Sequence, residues 1–505
     1  MKVRPIPPLA TARAFQCHEM FFSTTDLKGI ILSGNDVFVR VSGFSREELY
    51  GRPHNLIRHP DMPRAAFALL WSNLKQGLPF AGYVKNMAKD GAYYWVFVVA
   101  VPASDGRYLS VRFKPSSPLL GQVEALYRQM LAAENAALAN GGKEAEAVAA
   151  GLAVATAALE SLHFASYDQL AHTALNLEIK ARDAQLRAEG TRLFPAALQG
   201  GQGQRARADL YALGVQTYDQ VDGLFRQLDG FVDFNRGLQE KSAAVLGIAE
   251  NFRLHALNVN ITSQRSGPDG VGVGVVAGFL SDYSRQLTEA TVELREHIAV
   301  IVQEAETINA RVAMARLQLE MLLFFQAEAA AEAGAVDTAQ IHLLEECFTA
   351  STAQVLAALV QLRESLPRLL DSHKTLTRAA MAIEMAQVGG LTEAARIPDG
   401  ETLRSMFAEF RAKISSTRTN LDDLHGVMDK IGIISSQSPR QIAAINVATR
   451  RMQAGLAAIT AAAVSAPAVS AVPAAPAPAA AADPEAEGVG AREDAGVAAE
   501  ALAVS

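Results

Sequence analysis

Cysteine is scarce in this sequence, with two residues, Cys17 and Cys347, far apart among 505. This spacing excludes a disulfide framework and a cysteine-rich metal site, and it favours a reducing compartment. Clustered positive charge is also lacking: 46 Lys and Arg face 53 Asp and Glu, for a net charge of −7. Because nucleic-acid binding usually needs a basic patch, the composition argues against a nucleic-acid partner.

Long apolar runs are missing too. No stretch reaches the roughly 18 unbroken apolar residues of a membrane span, and the N-terminal "MKVRPIPPLATARAF" lacks the apolar centre of a signal peptide. We also find no Gly-rich dinucleotide fingerprint, no nucleophile–base pair and no cluster of metal ligands. These absences predict a soluble cytoplasmic protein without a membrane span, and they argue against an enzyme.

Aromatic residues are unevenly distributed, and both tryptophans, Trp71 and Trp95, lie in the first hundred residues. After a short extension (1–18), residues 19–118 predict a compact α+β domain. Ser45 and Glu48 form a capping-box pattern, and a helix is predicted from Pro63 to Gly77. Five β-rich runs surround these helices: "EMFFSTTD", "GIILSG", "FAGYVKNMA", "AYYWVFVVAVPA" and "RYLSVRFKP".

The remainder is Ala/Leu-rich and predicts an all-α region, beginning with a helical linker over 119–205. Residues 206–330 carry apolar residues every seven positions on both sides of a Gly-rich break at 266–274. This pattern predicts an antiparallel helical hairpin, although an ordinary bundle with a glycine loop would fit as well. The heptad positions are Leu224, Phe231, Leu238, Val245, Phe252 and Val259, then Leu280, Leu287, Leu294, Ile301 and Ile308.

A further helical region is predicted over 331–462, with a second turn near 389–400. Helix breaks are expected at Gly200–Gly203, near Pro367 and at Pro439, because proline removes a helical hydrogen bond. The Ala/Pro-rich and then acidic segment 463–505 predicts a disordered tail.

Two resemblances emerge from these patterns. Residues 23–115 resemble the FAD-binding PAS domain of aerotaxis receptors through "STTDLKG", "NDVFVRVSGFSREELYGRPHN", "RHPDMPRAAFALLW", "LKQG", "VKN" and "YYWV". Residues 248–277, "IAENFRLHALNVNITSQRSGPDGVGVGVVA", resemble a degenerate signalling tip of methyl-accepting chemotaxis receptors. Charged positions of that tip are replaced here by Thr262, Val271-Gly272-Val273 and Gly278-Phe279, which puts control of a kinase in doubt.

The stretch "HNLIRHPDMP", His54 to Pro63, combines rigid and polar groups directly before the predicted helix. Arg58 can pair with an anionic oxygen, His59 can donate at a ring edge, and Asp61 can accept from a sugar or orient Arg58. Pro63 is expected to begin the helix, whose free N-terminal amides would favour an anion. His54 is expected only to cap the preceding turn.

The resemblance implies FAD binding by Arg58, His59 and Asp61, with Trp71 and Asn86 lining the pocket. Phe80 and Met87 depart from the family, which has Trp and Arg at those positions. Taken singly, each of these residues also has an ordinary structural interpretation: a surface histidine, an Arg58–Asp61 salt bridge or a core tryptophan.

The leading hypothesis is a cytoplasmic sensor that binds FAD, reports redox or energy state, and forms a homodimer through its helices. Its partners would be a chemotaxis coupling protein and a histidine kinase. The alternative is a ligand-free PAS scaffold whose degenerate tip no longer controls a kinase. A flavin-dependent enzyme is the least favoured class because no catalytic constellation accompanies the pocket residues.

Overall fold

The computed structural model describes residues 7–161, 164, 166–194, 202–331, 338–398 and 400–465. The first six residues of the predicted extension and positions 466–505 of the predicted tail lie outside the described residues. The fold class predicted from the sequence is confirmed: an α+β domain at the N-terminus is followed by long helices.

A five-stranded antiparallel sheet forms the N-terminal domain. Its strands are β1 (Met20–Thr25), β2 (Ile31–Gly34), β3 (Phe80–Met87), β4 (Tyr93–Pro102) and β5 (Tyr108–Phe113). Their order across the sheet is β2-β1-β5-β4-β3, so the first and last strands of the domain meet in the centre. Because side chains alternate along a strand, each strand contributes to both faces of the sheet.

Three helices lie on the inner face of the sheet: α1 (Asp36–Ser42), α2 (Arg46–Leu49) and α3 (Arg64–Lys75). The predicted break at Gly43 is present, and this residue adopts a positive φ of 73° at the end of α1. The predicted capping box of Ser45 and Glu48 begins α2. Pro63 caps α3 rather than forming its first turn, and a short 3₁₀ turn, His54–Ile57, precedes it.

The predicted linker forms three helices: α4 (Leu119–Ala139), α5 (Glu144–Ser161) and α6 (Tyr167–Ala188). Helix α5 packs against α3 and α4, and helices α4 and α6 contact the outer face of the sheet. Two tyrosine hydroxyls attach these helices to the backbone of β3. Tyr127 donates to the Tyr83 carbonyl at 3.0 Å, and Tyr167 donates to the Ala81 carbonyl at 3.2 Å. This segment is therefore packed on the N-terminal domain.

Four long helices complete the described chain: α7 (Gln202–Arg265), α8 (Val271–Ala331), α9 (Thr338–Ala394) and α10 (Glu401–Ser465). Neighbouring helices in this order pack together, and α10 returns to α7, which closes a four-helix bundle. A 3₁₀ turn, Gly267–Gly270, joins the two arms of the first hairpin. The second hairpin, α9–α10, completes the bundle within the same chain.

The heptad residues form the core of this bundle. On α8 all five, from Leu280 to Ile308, are buried, and on α7 so are Leu224, Val245, Phe252 and Val259. The side chains of Phe231 and Leu238 lie outside the described part. Phe252 of α7 stacks on Phe410 of α10 with ring centroids 5.5 Å apart. The heptad surface therefore meets partners from the same chain.

The breaks expected at Pro367 and Pro439 are wrong, since both prolines lie inside continuous helices. Each proline removes one backbone hydrogen bond. Buried neighbours on both sides, Leu366 and Leu369 near the first and Ile442 near the second, keep the helices packed in the bundle. Helix α10 also continues through 463–465, where the tail was expected to begin.

Among the described residues, one helix, α9, is long and apolar enough to cross a membrane by length and composition. Half of its most apolar window is buried inside the protein, as in the core helix of a bundle.

The N-terminal domain and α6 both contact the bundle, and three of these contacts illustrate how they do so. Phe22 of β1 packs edge-on against Phe325 of α8, with centroids 5.1 Å apart. Asn35, at the start of α1, donates to Glu328 at 3.1 Å. Arg182 of α6 pairs with Glu320 of α8 at 2.7 Å, and both side chains are buried.

Candidate functional site

A cavity opens between α3 and the inner face of the sheet. Its enclosed space is about 100 Å³, below the usual range of roughly 300–1,000 Å³ for ligand sites, so a ring ligand would have to widen the cavity or extend through its mouth. Its apolar walls are Phe67, Leu70, Trp71, Leu74, Val84, Val98, Ala100 and Tyr108. Its polar groups are Lys28, His54, Asn55, Arg58, Asn86, Ser110 and Arg112.

Strand and helix periodicity place these side chains. Val84 and Asn86 of β3 share the inner face, as do Tyr108, Ser110 and Arg112 of β5. On α3, Phe67 and Trp71 lie four residues apart and therefore on one side of the helix. Trp71 packs edge-on against Tyr108, with centroids 5.8 Å apart. The result is an apolar slot with polar groups at one wall.

Three of the five predicted site residues line the cavity: Arg58, Trp71 and Asn86. Arg58 forms a backbone bridge with Asn86, donates to the Met62 carbonyl at 2.9 Å, and stacks over Phe67 at 4.5 Å. Asn86 is 2% exposed, and its Nδ2 has no hydrogen-bond partner among the described residues. An unpaired buried amide is costly unless a ligand satisfies it.

The other two predicted residues, His59 and Asp61, do not line the cavity. His59 is buried, and its Nδ1 accepts from the Asp61 amide at 3.1 Å. Burial and the neighbouring Lys85 ammonium lower the pKa of His59. Asp61 is exposed and pairs with Lys85 at 2.6 Å. These two residues fix the loop that carries Arg58, and the predicted Arg58–Asp61 salt bridge is not formed.

The N-terminal amides of α3 are already occupied. The buried Glu134 of α4 accepts from the Arg64 and Ala65 amides at 2.8 and 2.9 Å. The anion expected near these amides is therefore Glu134 of the same chain, and the Arg64 and Ala65 amides are not available to a ligand. Phe80 also lies elsewhere, stacked on Tyr167 of α6 with centroids 5.8 Å apart, so its departure from the family leaves the cavity wall unchanged.

Sequence reasoning missed Arg112 and misjudged His54. Arg112 of β5 is 3% exposed and lines the cavity. It donates to the Nε2 of His54 at 2.7 Å, so His54 holds Arg112 instead of merely capping a turn. The available signal was the alternation in "YLSVRF", which places Tyr108, Ser110 and Arg112 on one face.

We expect His54 to make folding stability depend on pH. Burial, together with the Arg112 charge, lowers the His54 pKa from 6.5 to about 3. Below pH 6.5 the unfolded chain therefore binds a proton that the folded protein does not. As a result, the free energy of unfolding decreases as the pH decreases. Between pH 7 and 5 the wild type should lose about 1–2 kcal/mol more than His54→Gln, measured by urea unfolding.

The glutamine keeps an acceptor for Arg112, which makes it a matched control. Burial raises the pKa of Glu345 to about 7, so its contribution to stability increases as the pH decreases. This contribution is the same in both proteins and cancels in the difference between them. An equal loss in the two proteins would contradict a neutral, buried His54.

Residues 31–112 match the family model described as the PAS fold. The N-terminal domain is a PAS domain. The chain is 43% identical over 136 residues to the aerotaxis receptor of Escherichia coli, covering 26% of this chain and 25% of that receptor. It is 26% identical over 83 residues to the biofilm dispersion protein BdlA of Pseudomonas aeruginosa, covering 16% and 20% respectively. A solved PAS domain from Colwellia psychrerythraea shares 23% identity, covers 19% of this chain and 85% of that one, and has a TM-score of 0.16.

The chain thus spans about a quarter of the aerotaxis receptor and a fifth of BdlA. Helices make up most of the described chain that follows the PAS domain.

Proposed function

We propose that this protein is a redox sensor that binds FAD through its PAS domain and transmits the state of the flavin to the helical bundle. The observation that carries the proposal is the pair of buried donors without partners among the described residues, Asn86 Nδ2 and Arg112 Nη1, in a slot with apolar walls and polar groups on one side. A flavin ring is flat and largely apolar, with acceptors along one edge, so this donor set fits it. When bound, FAD would supply the reversible uptake of electrons.

Arg58, Trp71 and Asn86 would contact the ring system. His59 and Asp61 would act indirectly, by fixing the position of Arg58. Asp61 could contact only a portion of the ligand that extends outside the cavity. The similarity to the aerotaxis receptor of Escherichia coli supports a sensory role. No nucleophile or base arrangement accompanies the cavity, and we propose a non-enzymatic role.

Transmission would use the contacts on the outer face of the sheet. Arg112 is followed by Phe113, whose ring lies 5.6 Å below the Arg182 guanidinium. Arg182 in turn pairs with Glu320 of the bundle. A change in hydrogen bonding at Arg112 would therefore shift Phe113, which contacts Arg182 of this ion pair. A coupling free energy of about 1–3 kcal/mol is typical of such switches.

We propose a cytoplasmic location, with a chemotaxis coupling protein and a histidine kinase as partners at the hairpin tip. The heptad surface is buried within one chain, so a homodimer would use outer surfaces such as the exposed Leu257, Val275 and Phe279 near the tip. Light scattering would give the mass in solution, and replacing these three residues by serine should convert a dimer to a monomer.

A scaffold without kinase control is the second candidate function. It is favoured by the replacement of charged residues of the family's tip by apolar ones, since Val271 and Phe279 are 66% and 52% exposed. Capture of the purified coupling protein and kinase would separate the two, since the scaffold predicts that neither is retained.

Ligand binding can be tested through the two tryptophans. Trp71 lines the cavity, whereas Trp95 faces α4, with its ring 6.2 Å from Tyr127. We expect added FAD to quench tryptophan fluorescence in the wild type and in Trp95→Phe. Trp71 should be quenched by direct contact as well as by energy transfer, so the quenched fraction should be larger in Trp95→Phe than in Trp71→Phe. A larger quenched fraction in Trp71→Phe would place the flavin elsewhere.

A further inference from the structure

The positive charge of Arg112 is not neutralised within the described protein. Its Nη2 donates to Ser23 Oγ at 2.9 Å and to His54 Nε2 at 2.7 Å. Its Nη1 has no partner among the described residues. Since His54 accepts this hydrogen bond and its pKa is depressed, it is neutral at pH 7 and cannot balance the charge.

Other buried arginines in this chain do have carboxylate partners. Arg182 pairs with Glu320 at 2.7 Å, and Arg316 pairs with Asp183 and Asp222 at 2.9 and 2.8 Å. For Arg112 no carboxylate ion pair occurs in the part of the chain that the structure describes. Its aromatic neighbours, Phe21 and Phe38, offer only ring faces at 6.0 and 5.5 Å.

A buried cation without a counter-charge destabilises the free protein, and burial lowers the Arg112 pKa to about 10. A charged side chain on an exposed loop would be solvated by water. Arg112 lies instead on β5, in the middle of the sheet, and its side chain is buried. Ser23 and His54 fix the guanidinium of Arg112. Its Nη1–H group stays at the cavity wall without a partner among the described residues.

We propose that Arg112 is the specificity-determining residue of the cavity. It donates Nη1–H to an electron-rich oxygen or nitrogen on the buried edge of the ligand, while Asn86 provides a second donor. This proposal rests on the proposed function and specifies the ligand class: a planar ring with an acceptor-rich edge that carries negative charge in at least one state. Neutral hydrocarbon ligands are excluded because they leave both donors unpaired. His54 and Ser23 are positioning residues.

The test compares the full-length protein with Arg112→Met and Arg112→Lys, using FAD and riboflavin as probes. Riboflavin has the ring but no phosphate. We expect Arg112→Met to weaken both probes by about 10- to 100-fold, the loss of one charge-assisted hydrogen bond. Arg112→Lys should retain part of the affinity. If FAD weakens and riboflavin does not, Arg112 contacts phosphate and the proposal is overturned.

Thermal unfolding of the ligand-free protein supplies a second readout. Arg112→Met should leave Tm unchanged or raise it, because it removes an uncompensated charge, whereas the control Arg182→Met should lower Tm. A lower Tm in both would identify Arg112 as a structural residue and overturn the proposal. Wild-type protein that binds neither probe would overturn the proposed function as well. Equal binding by the wild type and Arg112→Met would overturn this proposal alone.

Discussion

Replacing Glu178 by alanine should lower the free energy of unfolding by about 3–5 kcal/mol. Glu178 of α6 is fully buried. Its carboxylate accepts from the Tyr83 hydroxyl at 2.7 Å and from the Ser117 hydroxyl at 2.6 Å. It also accepts from the Ser116 and Ser117 amides at 2.6 and 3.0 Å. Alanine would remove the shared acceptor of four donors where the chain leaves the sheet for α4.

The same change should loosen the contact between the PAS domain and α6, because Glu178 joins β3 to the segment before α4. Urea unfolding gives the stability, and hydrogen exchange of the Ser116 and Ser117 amides reports the local opening. Glu178→Gln should lie between the wild type and alanine, since its amide keeps one acceptor. Glu189→Gln, an exposed position at the end of α6, is the control and should change stability by less than about 0.5 kcal/mol. Normal stability of Glu178→Ala would contradict the role of this carboxylate.

Replacing Arg182 by methionine should cost about 3–5 kcal/mol, because breaking a buried ion pair leaves its partner charged and unpaired. Arg182 and Glu320 are 1% and 2% exposed. Arg182 also donates its Nε–H to the Cys17 carbonyl at 2.9 Å, so the change affects the N-terminal segment, α6 and the bundle together. Differential unfolding monitored by tryptophan fluorescence and by helicity should show the two regions separating.

The exposed pair Arg285–Glu289 provides the matched control, with both side chains about 60% exposed. Arg285→Met should change stability by less than about 1 kcal/mol, as is typical of surface ion pairs. Double replacement of Arg182 and Glu320 by Met and Leu should recover much of the loss, since a well-packed apolar pair is often as stable as a buried ion pair. If the double variant were as unstable as Arg182→Met, lost packing rather than the unpaired charge would account for the loss of stability.

Local patterns in the sequence were sufficient to predict most of the helices and strands. The capping box at Ser45, the break at Gly43 and the β-rich composition of the five strands each depend on neighbouring residues. The heptads from Leu280 to Ile308 likewise follow from one helix face. Pro367 and Pro439 show the limit, because the contacts that hold their helices together come from distant helices in the bundle.

The site was only partly predictable for the same reason. Arg58, Trp71 and Asn86 could be selected from the family resemblance. The pairing of His54 with Arg112 joins residues 58 positions apart, and Glu134 reaches the start of α3 from 70 positions away. Which donors stay unpaired, and which amides are already occupied, depends on these long-range contacts, which no short pattern contains.

The absorption spectrum of the purified full-length protein tests the central claim most directly. We expect a yellow protein, or a colourless one that turns yellow after incubation with FAD and gel filtration, with one flavin bound per chain. The visible flavin band should be lost on reduction with dithionite and return in air. A colourless protein that retains no flavin after incubation would contradict the account.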